Sequence, residues 1–314
     1  MRKILRKVKL IITVVLINIA SFFLTIGANK RVAIVTCDKY KNKVLEDIRL
    51  KYYLSKVKIK AKIVSFESDK FDNYDAVIIR SVWGFSKKQF EEWLNTISKK
   101  NIKIFNDIDL IKHNFSKKEQ FELLDRYKIK HIPTEYISND KDIKKNLEKC
   151  IKNGNIVVKP HISESGANTY LLPKNDKISN SLSIDEFLEK KIDTDIFLVQ
   201  SFMNIDEGEI SVIAINGKIT HIVKRFPGIL GSSKRTIEFK TNDTKLIRIA
   251  ESIIKVKEYS NQLYMRIDFI KQDSEYLVLE VELIDPMLFM NVIDNKKQRE
   301  EIYYVLSESI KERI

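Results

Sequence analysis

The sequence predicts an α/β unit followed by an α+β unit, with an apolar helix ahead of both. Three observations carry this. From residue 31 to 106, short apolar runs alternate with amphipathic stretches, the rhythm of an open, mostly parallel sheet covered by helices. After residue 112, apolar runs come in pairs joined by short polar turns, as in antiparallel hairpins. Residues 10–28, LIITVVLINIASFFLTIGA, are almost unbroken in their apolarity. A chain of 314 residues suits roughly two or three compact units.

The apolar run is about as long as the ~20 residues that cross a bilayer. Arg2, Lys3, Arg6, Lys7 and Lys9 precede it, and Lys30, Arg31, Lys39, Lys41 and Lys43 follow it, so charge does not set its orientation. Three readings stand: a membrane helix; a signal peptide with a long apolar core and a weak cleavage site at Ile26-Gly27-Ala28; or a stretch ahead of the true start. Residues 1–29 are taken as membrane helix or leader.

In the body, RVAIVTC (31–37), KIVSFE, YDAVIIR and IKIFN (102–106) read as strands, with helices at 43–56 and 89–99. A helix is expected at 117–127. Strands follow at 155–159, 169–172, 196–202, 209–215 and 218–226, after the extended HIPTEYIS. Asn216-Gly217 is a strong hairpin signal. Then come a helix at 243–257, the strands LYMRIDFI and YLVLEVELI joined through 271–275, and a helix at 296–312. No repeat is evident.

Composition excludes some functions. Apolar residues make up 44% of the chain, too many for disorder. The net charge of +13 is scattered as lysine among acids, so it reads as a solvated surface that favours anionic ligands, and no nucleic-acid partner is expected. Two cysteines, Cys37 and Cys150, make neither a disulfide framework nor a metal site. No Gly-rich dinucleotide fingerprint and no GxxxxGK[ST] loop occurs.

Chemistry concentrates in two places. On the 263–284 hairpin, strand alternation places Arg266 and Asp268 on one face and Glu280 and Glu282 together on theirs. A hairpin symmetric about Asp273 sets Arg266 opposite Glu280, with Asp268 diagonal to it. Two readings of that face stand: a Mg²⁺ site of three carboxylates, or a solvated face with an Arg–Glu pair. The second place is VVKP (157–160), where Lys159 ends a buried strand ahead of a loop with Ser163, Ser165 and Gly166. That loop could offer backbone N–H groups to phosphate, with Lys159 as point charge. The four histidines are scattered, and His161 reads as an ordinary loop residue.

The order of motifs resembles the ATP-grasp superfamily, in particular the bacterial branch related to glutathione synthetase and the cyclo-ligase of cycloserine biosynthesis. The matching stretches are IIRSVWGF (78–85), FNDIDLIKHNFSKKEQFELL (105–124), IPTEYI (132–137), VVKPHISESGANT (157–169), LVQSFMNIDEGEISV (198–212), HIVKR (221–225), YMRIDFI (264–270) and LEVELIDPMLFM (279–290). The resemblance implies a parallel-sheet domain at 30–113 and two α+β subdomains, 114–200 and 201–314, that clamp ATP. It implies a carboxylate–amine ligase that works through an acyl phosphate, with a small amino-acid or peptide-like substrate. Lys117 and Lys159 resemble the lysines on the ATP phosphates, and 163–169 the flap above them. Gln200, Ser201 and Phe202 resemble the adenine hinge, and Glu209 the acid near the ribose. Asp268, Glu280 and Glu282 resemble ligands of Mg²⁺, two ions in this family, and Arg266 the Arg that stabilises the acyl phosphate. Arg80, Ser81 and Trp83 resemble residues facing the second substrate, and Lys224-Arg225 a basic pair near the phosphates.

The chain departs from the branch at Ser116, where Asp is common, at Asn168, where Arg is common, and at Glu282, where Asn is common. An inactive, membrane-tethered homologue that serves as a binding module is the competing expectation. An ATP-using body implies the cytoplasmic side of a membrane, or the cytoplasm if the leader is not part of the protein.

Overall fold

The computed structural model describes residues 2–83, 87–163, 168–175, 181–203, 207–227 and 233–314. Helix α1 (Arg2–Leu24) leads into the first unit: β1 (Lys30–Thr36), α2 (Leu45–Lys56), β2 (Ile59–Ser65), β3 (Ala76–Ser81), α3 (Lys87–Ser98) and β4 (Lys103–Phe105). The strands run parallel in the order β2-β1-β3-β4. Val32 to Val35 of β1 are fully buried because both sheet faces are covered. Val32 and Ile34 meet α2, whereas Ala33 and Val35 meet α3.

The second unit comprises α4 (Ile108–Asn114), α5 (Lys117–Arg126), β5 (Thr134–Ser138), α6 (Ile143–Ile151), β6 (Ile156–Pro160), β7 (Tyr170–Leu172), α7 (Ile184–Lys190) and β8 (Ile196–Ser201). Its sheet is antiparallel, in the order β5-β8-β6-β7. Side-chain oxygens start the helices: Asp107 caps α4 and Ser116 caps α5, while Ser183 and Glu186 form a capping box on α7. The third unit holds β9 (Glu209–Ile215), β10 (Lys218–Pro227), β11 (Ser233–Glu238), α8 (Thr244–Ile254), β12 (Tyr264–Gln272), β13 (Glu275–Glu282), a 3-10 turn (Met290–Val292) and α9 (Lys296–Glu312). Its antiparallel sheet is ordered β11-β10-β9-β12-β13. Asn216 and Gly217 both take positive φ, 50° and 73°, as a tight hairpin turn requires.

Helix α1 corrects one expectation. Leu10, Val14 and Ile17 pack against the core under α2, and Ser21 and Thr25 are buried farther along. Lys51 of α2 bonds to Asn18 in mid-helix, and the Lys58 ammonium donates to the Leu24 carbonyl at 2.9 Å. Charged residues of the body thus lie along the helix, where a bilayer core would have to be. Among the described residues no helix is long and apolar enough to cross a membrane.

Candidate active site

The hairpin β12–β13 gathers most of the charge, and one extra residue decides how. Asp273 and Ser274 form a two-residue turn, both with positive φ, so Gln272 pairs with Glu275 and Phe269 with Val278. Continued unchanged, that ladder would put Asp268 opposite Leu279. Glu280 and Glu282 would then point away from Arg266 and Asp268. The register instead shifts between Asp268 and Phe269, which pairs Asp268 with Glu280 and Arg266 with Glu282. The bulge at Leu279 therefore brings all four onto one face. The symmetric register expected from the sequence, with Arg266 opposite Glu280, is corrected.

The outer edge of β13 is held by other parts of the chain. Val278 exchanges backbone bonds with Lys130 and Ile132. Gln120 accepts from the Val281 N–H at 3.1 Å, and Asn114 donates to the Val281 carbonyl at 2.7 Å. Asn114 also accepts from Leu283 N–H, and Asn106 donates to the Leu283 carbonyl. Edge groups that would otherwise be open are satisfied by buried amides. Helix α5 is thereby anchored to β13, with Phe121 and Leu124 in that sheet's core.

Lys117, on the first turn of α5, reaches Glu280 at 2.8 Å and the Ser163 carbonyl at 2.9 Å. Burial opposes ionisation of Glu280, but Lys117 and Arg266 together hold the carboxyl below its ordinary range. Arg266 grips Asp268 from Nε and Nη2 at 3.0 Å. Arg225 Nη2 bridges Glu209 at 2.6 Å and Asp268 at 2.7 Å. Ser211 donates to Asp268 at 2.6 Å. Burial alone would raise the Asp268 carboxyl; Arg225 and Arg266 keep it low. Glu209 goes the other way, since burial outweighs Arg225. Gly208 makes the Glu209–Arg225 approach possible: its φ is +85°, and a Cβ there would lie 2.7 Å from the Arg225 carbonyl.

Two groups carry strain of charge. Burial, then Glu280, pushes Glu282 up to about 6. Burial, then Lys117, pushes Lys159 down to about 8. Lys159 comes from β6 in the smaller antiparallel sheet, so the site spans two sheets.

The remaining expected residues are dispersed in role. Gln200 is buried and donates to Thr134 at 2.8 Å, while Ser201 and Phe202 at the end of β8 are exposed. Ser163 accepts from Lys117 through its carbonyl. Ser165 and Gly166 lie outside the described residues. His161 links Asp195 and Ser116 and is structural.

Whether metal suits this face follows from its donors. Among the described residues no three acidic, His or Cys side chains already form a metal cage. Lys117, Arg225 and Arg266 supply the positive charge that the sequence reading assigned to divalent ions. Yet Glu282 lies beside Glu280, and burial first and then that neighbouring carboxylate raise it despite Arg266 and Lys117. Carboxylates on adjacent strands with that imbalance fit a hard divalent cation that completes its shell with waters and phosphate oxygens.

Comparison with known families shows the RimK-like ATP-grasp domain over residues 115–290, more than half of the chain. The chain belongs to the RimK-like ATP-grasp family. It is by family an ADP-forming ligase of the carboxylate–amine type. Residues 32–106 match the N-terminal domain of D-cycloserine synthetase DcsG. The solved structure of D-cycloserine synthetase DcsG is similar at a TM-score of 0.75 and 16% identity, covering 90% of this chain and 99% of that one. A RimK-domain ATP-grasp protein from Sphaerobacter thermophilus gives 0.67 at 12% identity, with 89% and 98% covered. D-alanine–D-alanine ligase from Bacillus anthracis gives 0.61 at 16%, with 90% and 97% covered. No curated protein matches the chain.

In this ATP-grasp chain the residues that sequence reasoning missed are the ones that hold others in place. Asn106, Asn114 and Gln120 sat inside a matching stretch but carried no periodic or charge signal. Glu46 and Asp47 were read only as part of a helix. They flank the buried Arg80 at 3.5 and 3.6 Å. Glu46 also accepts from the Leu288 and Met290 N–H groups, at 3.2 and 2.8 Å. Between those two, Phe289 lies under the Arg225 and Arg266 guanidiniums at 5.9 and 5.8 Å. Ser81 bonds to Asp47, and Trp83 donates to the Asp285 carbonyl at 3.0 Å. Arg80, Ser81 and Trp83 therefore support the segment that backs the site.

Proposed function

We propose that this ligase activates a small amino-acid or peptide-like carboxylate with the γ-phosphate of ATP and passes the acyl group to an amine. The observation that carries the reading is the gathering of four cations, Lys117, Lys159, Arg225 and Arg266, around the carboxylates of Glu209, Asp268 and Glu280, with residues drawn from two sheets. A carboxylate and ATP repel each other, and the transferring phosphoryl group spreads charge over its oxygens. Lys117 and Lys159 neutralise phosphate from opposite sides. Arg266, fixed by Asp268, stabilises the charge of the acyl phosphate. The buried Arg225 Nε has no partner among the described residues and is a donor for a ligand oxygen. Asp268, Glu280 and Glu282 would hold Mg²⁺, which supplies charge neutralisation at the bridging phosphate oxygens. In this reading Gln200, Ser201 and Phe202 would meet adenine and Glu209 the ribose. The D-alanine–D-alanine ligase fold is also known with ATP bound, which supports the nucleotide reading.

The test is ADP release by the full chain with Mg²⁺–ATP, screened over amino acids and dipeptides, with hydroxylamine added to trap an acyl phosphate as hydroxamate. ADP and hydroxamate that both depend on one carboxylate support the proposal. ADP released at the same rate with and without any carboxylate or amine refutes it.

A further inference from the structure

We propose that α1 and the basic groove beside it form a docking surface for an anionic lipid bilayer, with the helix lying in the plane of the membrane. Helix α1 has two faces. One is spent on the body through Leu10, Val14 and Ile17. The other is open: among the described residues, nine of the fifteen exposed large apolar side chains lie between residues 8 and 26. Ile12, Leu16, Ile19, Phe22 and Phe23 recur at helical spacing, and the two phenylalanines are 69% and 63% exposed. So large a continuous patch marks an interaction site rather than ordinary surface.

What covers it is indicated by charge. Between α1 and the edge strand β2 runs a groove of about 780 Å³. Its basic residues include Arg31, Lys51, Lys60, Lys62 and Lys70, and its acid is Asp69, which is already paired with Lys41. Lys60 and Lys62 alternate outward along β2, opposite the buried Ile59, Ala61 and Ile63. No Asp or Glu occurs before Asp38, and five of the first nine residues are Lys or Arg. A basic groove alone suits a soluble anion, and an apolar face alone suits a second copy of the chain. The two side by side match a surface that presents acyl chains next to anionic headgroups. The body fixed to α1 through Lys51 and Lys58 forbids crossing, so the helix enters sideways, to about 5–10 Å.

The experiment is flotation of the purified full chain with neutral phosphatidylcholine vesicles and with vesicles that also contain phosphatidylglycerol. Binding is expected on the anionic vesicles, weakening with salt. Phe22→Ser with Phe23→Ser should abolish it. Lys60→Glu with Lys62→Glu should weaken it roughly twenty-fold or more, since each basic residue near such a surface is worth about five-fold. Both variants should keep the wild-type thermal shift with Mg²⁺–ATP, which confirms folding separately from any ligase activity. Equal binding to neutral vesicles, or binding indifferent to the lysine reversals, overturns the proposal. So does resistance to alkaline extraction, which means spanning, or a salt-independent dimer that forms instead of vesicle binding and is lost in the phenylalanine variant.

Discussion

Replacing Glu282 with Gln should make the ligand-free protein more stable at neutral pH and less able to use Mg²⁺–ATP. Glu282 pairs with Arg266 across the hairpin and accepts from the Ile284 N–H at 3.0 Å, a bond that Gln keeps. Burial and Glu280 lift its carboxyl from an ordinary 4.5 to about 6. A lift of that size corresponds to about 2 kcal/mol at pH values above it. The side chain is half-buried, so screening reduces the figure to about 1 kcal/mol. The sign follows from the raised value: the folded state prefers the protonated acid. The benefit is complete below about 4.5 and is lost as pH rises through about 6. In EDTA, the melting temperature of Glu282→Gln should exceed wild type by about 2 °C at pH 7.5. The gap should close as the pH falls below about 4.5, where Glu282 becomes protonated in both states. A gap that does not change with pH, or a less stable mutant at pH 7.5, would show that Arg266 keeps Glu282 ionised. The charge imbalance used to argue for a cation would then be absent.

Glu280→Gln should act in the opposite direction, costing about 1–2 kcal/mol of ligand-free stability because buried Lys117 loses its charged partner; urea denaturation at pH 7.5 reads this. Lys159→Met should raise the ligand-free melting temperature at pH 7 and abolish the shift given by Mg²⁺–ATP. A lysine held down to about 8 costs stability while charged, and wild type should gain on the mutant as pH rises through that value. Deleting Leu279 should remove the bulge and leave Asp268 opposite Glu280 and Arg266 opposite Glu282, because the ladder already pairs Phe269 with Val278. The Mg²⁺–ATP thermal shift should then persist in a protein whose circular dichroism shows it folded, and its loss would show that the shared face is not what the site requires.

The strands and long helices of both halves were legible because burial imposes period 2 or 3.6 on the sequence. Helix α9 and strand β9 fall on their expected bounds. Helix α6 was overlooked, although Ile143, Leu147 and Cys150 recur at helical spacing; its lysine-rich face obscured the stripe. The acidic face of the hairpin was legible as a set of residues and not as a register. Strand alternation is local, but a bulge is settled by tertiary fit along the whole ladder. Arg225 was visible only as half of a basic pair, since its bridge to Asp268 crosses strands far apart in sequence. The clamp of Glu46, Asp47 and Arg80 joins residues whose nearest sequence neighbours give no hint of one another. The apolar run at 10–28 looked like a membrane span because sequence shows hydrophobicity without showing that α2 occupies one side.

The amides on the edge of β13 also decide which part of the clamp each lysine travels with. Gln120 of α5, itself bonded to Asn114 at the end of α4, ties α5 and Lys117 to the sheet that bears the carboxylates. Lys159 rides on the other sheet. The two ammonium groups therefore belong to different sheets, and their mutual repulsion adds to the burial that lowers Lys159. A polyphosphate between them reverses the sign of that force. Attraction between the two sheets through such a ligand should then come from the ligand's own charge and decline with ionic strength like that of any screened attraction.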